Sequence, residues 1–314
     1  MAPVVASFSS RGPSKAAVIL KPDVIAPGVD IVASWPTNTP TSDAPGDNRT
    51  FEFNIASGTS ISCPHVSGAA ADIKSFHPTW SPAAIRSALM TTANNQMSFG
   101  NNRDTEFGYG AGQINPVNAR NPGLIYDANV DDYIRFLCSY GYSTTTLQQL
   151  TRDHITCSNA THTSTRDLNY PSFTLKAPSP KQHFNGSFRR IVTNVGLPLS
   201  TYRAIVTAPE GLQISVNPDV LSFTSLGEKK TFVLSVEGAM EEAFRSASLT
   251  WDCGDFKVRS PIVVYDVRAE KEQVYPSLNE QGQSSSPNSH VPVKVIVLCA
   301  IFSFILISIV IYII

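Results

Sequence analysis

Gly58-Thr59-Ser60-Ile61-Ser62-Cys63-Pro64-His65 is the stretch of this chain best equipped for chemistry, because it sets an alcohol at the turn that opens a helix. Val66, Ala69, Ala70 and Ile73 follow at helical spacing, padded by Gly68 and Ala71, small enough for a neighbouring backbone to lie close. Thr59 and Ser60 suit the N-cap region, and Pro64 a first turn, where its missing N–H has no partner to lose. A hydroxyl so placed stands among free amide N–H groups at the positive end of the helix dipole. A developing oxyanion would be stabilised there.

An alcohol is a weak nucleophile near neutral pH and needs an adjacent base, itself held by a third group. No histidine precedes Ser60. His65 follows five residues later, roughly 140° around a helix and about 7.5 Å along it, so it is expected to point away as a buried structural histidine. His77 precedes Pro78 in a loop, and His154, His162, His183 and His290 lie far along the chain. None reads as the base. No metal ligands and no cofactor are expected.

Several words agree, in order, with one family. Phe8-Ser9-Ser10-Arg11-Gly12-Pro13, Leu20-Lys21-Pro22-Asp23-Val24-Ile25-Ala26-Pro27-Gly28 and Gly58-Thr59-Ser60 with Pro64-His65 resemble the subtilisin-like serine proteases, and more closely the plant cucumisin-like subtilases. Gly110-Ala111-Gly112-Gln113-Ile114-Asn115-Pro116 and Pro122-Gly123-Leu124-Ile125-Tyr126-Asp127 resemble the close of that family's catalytic domain. The resemblance runs from about Ala2 to about Asp266. It implies a serine endopeptidase acting on peptides or proteins, with Ser60 as nucleophile and its backbone N–H in the oxyanion hole. In subtilisin the triad runs Asp, His, Ser along the chain, and the family's side-chain oxyanion donor, an asparagine, also precedes the serine. Only Ser60 of these four groups is encoded here. The expectation is a C-terminal portion of such a protease, from a truncated gene or gene model, inactive on its own. Two other readings are a non-catalytic, membrane-anchored interaction protein and a product without function.

Apolar residues at 42% and charged residues at 16%, with net charge −1, describe a globular chain and give no basic excess for nucleic acid. At 314 residues, two domains are expected at ~150 residues each. Of five cysteines, Cys138 and Cys157 flank a polar loop and are the plausible disulfide, matching a pair the plant family carries after its catalytic domain. Cys63 and Cys253 are expected as buried free thiols, and Cys299 falls in an apolar tail. Sequons at Asn48, Asn159 and Asn185 favour a secreted, glycosylated route. Met1 to Val5 does not read as a signal peptide.

Residues 1–126 read as the C-terminal part of an α/β, parallel-sheet catalytic domain. Strands are expected over Val4–Phe8 and Ile31–Trp35, and a helix from Ala83 to about Thr92 with Ser81 and Pro82 as N-cap and N1. Uncovered apolar surface and low stability are expected of this part alone. Residues 127–165 form a bridging segment with a helix from Asp131 to about Ser139. Over 166–267, alternating runs at 187–194, 201–207, 213–217, 230–236, 247–251 and 258–265, separated by turn signals, argue for a small antiparallel β-sandwich. Asp167-Leu168-Asn169-Tyr170-Pro171-Ser172-Phe173 and Thr193-Asn194-Val195-Gly196 resemble the fibronectin type III-like domain that ends plant subtilases. Residues 268–290 read as a polar, flexible linker. Within 291–314, Val295–Ile314 is uncharged and as a helix would span about 30 Å, a bilayer core. A transmembrane helix and a glycosylphosphatidylinositol attachment signal are both open at this point. Either implies a membrane-anchored, cell-surface protein, with the membrane as a partner.

Overall fold

Ser81 and Pro82 start a helix for a physical reason the coordinates make explicit. In the computed structural model, which describes residues 3–42, 44–96, 105–157 and 164–272, the Ser81 hydroxyl accepts the Ala84 N–H at 3.0 Å and Pro82 occupies N1. Before this helix the chain makes two short strands, β1 (Ile31–Ser34) and β2 (Phe53–Ala56), then helix α1 (Thr59–Phe76); the helix begun at Ser81 is α2 (Pro82–Thr91). Helices α3 (Glu106–Tyr109) and α4 (Pro116–Ala119) and strand β3 (Leu124–Ile125) follow. Val4–Phe8 is not a strand: Ser9 N–H donates to Ala6 O, closing a turn instead. The strands paired among residues 3–96 are antiparallel, Val32 opposite Ile55 and Ser34 opposite Phe53, while Ile25 bridges Gln113 in parallel, the parallel pairing of this incomplete catalytic-domain part among the described residues.

The bridging segment carries α5 (Val130–Ser139), started by a reciprocal capping box between Asn129 and Asp132, and α6 (Thr144–Thr151), which lacked a distinct apolar period. Cys138 and Cys157 are bonded, with Cα atoms 5.6 Å apart, and tie the end of α5 to the segment after α6.

The remaining strands are β4 (Phe173–Lys176), β5 (His183–Asn194), β6 (Ser200–Thr207), β7 (Leu212–Asn217), β8 (Val220–Phe223), β9 (Lys229–Ala239), β10 (Phe244–Asp252) and β11 (Lys257–Tyr265). They form two facing sheets, ordered β4-β11-β10-β6-β8 and β3-β5-β9-β7. One pair, β4 with β11, is parallel, so the sandwich is not wholly antiparallel. Leu124–Ile125, read as the close of the preceding domain, instead hydrogen-bonds to β5 at the sheet edge. Both short strands β4 and β8 have only four residues, too few to show an alternating pattern against turn signals.

Trp251, Phe232, Phe173, Phe188, Tyr126 and Tyr202 fill the space between the sheets, all 2% exposed or less. Phe232 meets Trp251 edge to face at 5.1 Å, and Phe173 meets Phe188 likewise at 5.5 Å, geometries that aromatic quadrupoles favour. A second core joins the sandwich to the N-terminal region: Leu20 and Phe107 pack on Val263 and Tyr265. Ala269, on α7 (Val267–Glu272), completes it, so the start of the expected linker is helical and its Ala269 is buried. The apolar stretch 291–314 and Cys299 lie outside the described residues. Among the described residues, no helix is long and apolar enough to cross a membrane.

Candidate active site

Helix α1 is capped at Gly58 without a side-chain hydrogen bond, and Thr59 is its first residue, which places Ser60 second. The amide N–H groups of Ile61 and Ser62 turn back onto Gly58 O at 3.0 and 3.3 Å. Those of Thr59 and Ser60 have no acceptor among the described residues, as the first amides of a helix must unless something external meets them. Pro64 lies in the second turn, not the first. It therefore lacks the N–H that would reach Ser60 O, and that carbonyl loses its helical partner. The Ser60 hydroxyl is exposed and makes no hydrogen bond to a described residue.

The turn is held from below by the word Leu20–Gly28. Gly58 N–H donates to Gly28 O at 2.8 Å, and the Ser62 hydroxyl donates to Ala26 O at 3.1 Å. A Cβ on Gly28 would stand 2.0 Å from Ser62 Oγ, so only glycine permits this approach. The word is fastened in turn by Gly110–Pro116: Ala111 N–H donates to Asp23 O at 2.9 Å, Ile25 N–H to Gly112 O at 2.9 Å, and Ile114 N–H to Ile25 O at 3.0 Å. Gly110, at φ 62°, would carry a Cβ 2.4 Å from the carbonyl oxygens of Pro22 and Asp23. Three motifs separated along the sequence are thus one hydrogen-bonded support for the Ser60 turn.

Beneath this support is a charged cluster that sequence reading did not assemble. Lys21 Nζ donates to Asp23 at 2.9 Å and to the Tyr170 hydroxyl at 3.0 Å, and the Tyr170 hydroxyl donates to Asp23 Oδ1. Arg86 of α2 lies over the Tyr170 ring, 5.5 Å from its centre. Burial disfavours the Asp23 carboxylate, but Lys21 and then Arg86 outweigh it and hold its pKa below the usual aspartate range. Burial likewise disfavours the Lys21 charge, and Asp23 reverses that, leaving the ammonium pKa raised. Tyr170, buried first and facing Asp23 second, is pushed up to about 12. Lys21-Pro22-Asp23 and Asn169-Tyr170-Pro171 were each conspicuous as words; their meeting was not visible.

No base approaches Ser60 among the described residues. His65 is exposed, not buried, and its Nδ1 pairs with Ile61 O at 3.1 Å, within its own helix. His77 stacks on Trp80 at 3.8 Å and its Nε2 meets Arg120 O at 2.6 Å. Cys63 is exposed and Cys253 half-buried, against the expectation of two buried thiols, because nothing described covers the opening turns of α1. Likewise a Cβ on Gly68 would meet no atom within 4 Å, so Gly68 seats no neighbouring backbone among the described residues. Asn48 and Asn185 are exposed, and Asn159 lies outside the described residues.

Residues 1–110 match the Subtilase family and residues 167–264 the Fibronectin type-III domain. Among curated proteins, the chain is 48% identical to subtilisin-like protease SBT4.3 of Arabidopsis thaliana over 273 residues, 85% of this chain and 37% of that protein. It is 48% identical to subtilisin-like protease SBT4.9 of the same plant over 271 residues, covering 84% of this chain and 38% of that one. Subtilisin-like protease SBT4.13 gives 46% over 270 residues, 84% and 36%. The chain therefore spans well under half the length of these relatives. Two family matches in the order of the sequence motifs, with a serine turn built from those motifs, place this chain in the plant subtilisin-like serine protease family.

Proposed function

We propose that this chain carries the nucleophile of a serine endopeptidase and that Ser60 is the residue acylated by a peptide substrate. The observation carrying this is the exposed Ser60 hydroxyl beside the free N–H groups of Thr59 and Ser60, on a turn braced by Gly28, Ala26 and Ser62. A tetrahedral oxyanion formed on Ser60 would accept the Ser60 N–H, with the helix dipole favouring the same charge. Deprotonating Ser60 falls to a base outside the described residues, since His65 and His77 are engaged elsewhere. In this proposal the described residues do not by themselves support peptidase activity. Loss of triad members leaves ~10³–10⁴-fold over water where the oxyanion hole and substrate binding survive, and the oxyanion hole here has no side-chain donor among the described residues. Incubation with a fluorophosphonate probe tests this. Labelling absent from the purified chain supports the reading; labelling that disappears in Ser60→Ala would show that a base is already in place.

The proposal places this protein outside the cell, on the strength of the sequons at the exposed Asn48 and Asn185 and the bonded Cys138–Cys157 pair. Membrane attachment through residues 295–314 is proposed on length and apolarity alone. Partition of the expressed chain into detergent, with release by a phosphatidylinositol-specific lipase, distinguishes a lipid anchor from a spanning helix; recovery in the aqueous phase excludes both.

A further inference from the structure

Arg190 is 3% exposed and alternates on β5 with the core residues Phe188 and Val192, and it lines a cavity with Ser172 and Thr174, the residues that flank Phe173. Its N–H groups hold the backbone that leads into the sandwich. Nε donates to Tyr170 O at 2.9 Å, Nη1 to Arg166 O at 2.6 Å and Arg189 O at 3.0 Å, and Nη2 to Ser172 O at 3.2 Å. The guanidinium also lies 5.0 Å from the centre of the Phe173 ring. No carboxylate is among these partners. The nearest acid acting on it, Asp167, is exposed, and its carboxylate accepts the Ser164 N–H. Carbonyl dipoles and ring faces leave a buried unit charge without a carboxylate in contact, an arrangement that burial penalises unless an ion answers it.

Beside Arg190 is a cavity of about 10 Å³, room for a single atom-sized guest. Arg166 and Arg190 both line it, and no acidic residue does. The hydroxyls of Ser172 and Thr174, residues 3% and 5% exposed, also belong to its wall and have no hydrogen-bond partner. Val18 and Ile19, from the strand of chain that leads into Leu20–Gly28, close the other side. The wall offers two hydroxyl donors and one unengaged Nη2 N–H under net positive charge.

We propose that this cavity binds a chloride ion, coordinated by Arg190, Ser172 and Thr174, at the seam between the β-sandwich and the segment supporting the serine turn. Chloride matches the site because it only accepts hydrogen bonds, fits a one-atom volume and supplies the missing negative charge. Its function would be to lock Val18–Ile19 and the 166–174 segment together, independently of whether Ser60 is catalytic.

The test is thermal unfolding of the full chain at matched ionic strength in sodium chloride, sodium bromide or sodium gluconate, with crystals soaked in bromide. Chloride and bromide are expected to raise Tm by roughly 2–4 °C over gluconate, saturably. Bromide should give an anomalous peak within hydrogen-bond distance of Ser172 Oγ and Thr174 Oγ1. The pair Ser172→Ala with Thr174→Val, and Ser172→Ala alone should the pair fold poorly, should abolish or reduce the halide increment and leave Tm in gluconate nearly unchanged. Equal Tm in the three salts, density at the site without bromide signal (a water), or a full halide increment in both variants would each overturn the proposal.

Discussion

Helices α1 and α2 follow one another in the chain, yet they occupy opposite environments. Of the 18 residues of α1, only Ala69 and Ile73 are buried. Of the 10 residues of α2, eight are, including Ile85, Leu89 and the polar Ser87 and Thr91. Helix α2 is enclosed because it packs on β11 of the sandwich, on β3 and on α1 and α4, and because Ser87 Oγ accepts the Tyr126 N–H at 2.9 Å. Its neighbour α1 meets α2 and α4 along one stripe and leaves Ser60, Cys63, His65, Gly68 and Ala71 exposed. The ribbon preceding α1 shares this character, with Val32, Phe53 and Ile55 each 60% exposed or more. What differs is the partner, not the propensity. Helix α2 is walled by α1 and α4 through Ile85, Ala88 and Leu89 and by β3 and β11 elsewhere, and the face of α1 that carries Ser60 has no such cover among the described residues.

The largest test of that contrast is Ile85→Ala. Because α2 is sealed, the substitution should destabilise the chain by about 2–5 kcal/mol, measured by urea unfolding. A loss below 1 kcal/mol would mean that α2 is loosely held and the contrast is weaker than the structure shows. Next comes Tyr170→Phe, which takes a hydroxyl from the Lys21–Asp23 pair under the serine turn. A hydrogen bond to a charged group is worth about 1.5–3 kcal/mol, and that loss is expected at neutral pH. Asp23 has a folded pKa below its ordinary value, so its contribution is complete above about pH 4 and disappears as pH falls through the lower folded value. Tyr170→Phe should therefore flatten the acid limb of stability against pH, and an unchanged limb would remove Tyr170 from the cluster's energetics.

Glu106 supplies the opposite sign on the sealed side. Burial raises its pKa, only partly opposed by Ser246 and then Arg259, so its ionisation weakens the folded state as pH rises above the ordinary glutamate range. Glu106→Gln should reduce that decline above about pH 4.5; an identical pH profile would contradict it. On the open side, Gly68→Ala should stabilise by about 0.5–1 kcal/mol, as expected for an exposed mid-helix glycine. Destabilisation there would reveal a close neighbour. Finally, alkylation followed by mass spectrometry should modify Cys63 in the native chain well before Cys253, with no change in stability.

Much of this architecture was legible in local pattern. Ser81-Pro82 fixed the start of α2 because a hydroxyl and a missing N–H both suit a helix N-terminus, and six alternating runs gave most of the sandwich. The serine turn was recognisable because glycine, hydroxyl and proline have few interchangeable substitutes at such a bend. The four-residue strands β4 and β8 were not legible, being shorter than the pattern needed to show them. Nor was the environment of α1. Amphipathic spacing told that Ala69 and Ile73 face a neighbour, but Cys63, His65 and Gly68 could be placed as buried or exposed only once the neighbours were known.

By itself, the sequence determined the glycine-hydroxyl turn that opens α1, the start of α2 and the sandwich class, since each depends on residues within a few positions of one another. Only the tertiary structure decided that Leu20–Gly28, Gly58–Ser62 and Gly110–Pro116 form one support, and that Tyr170 and Asp23 meet although 147 residues apart. It alone put two unpartnered hydroxyls beside a buried guanidinium. Such contacts are fixed by how whole elements pack, and packing is a property of shape and burial that no short stretch of residues encodes.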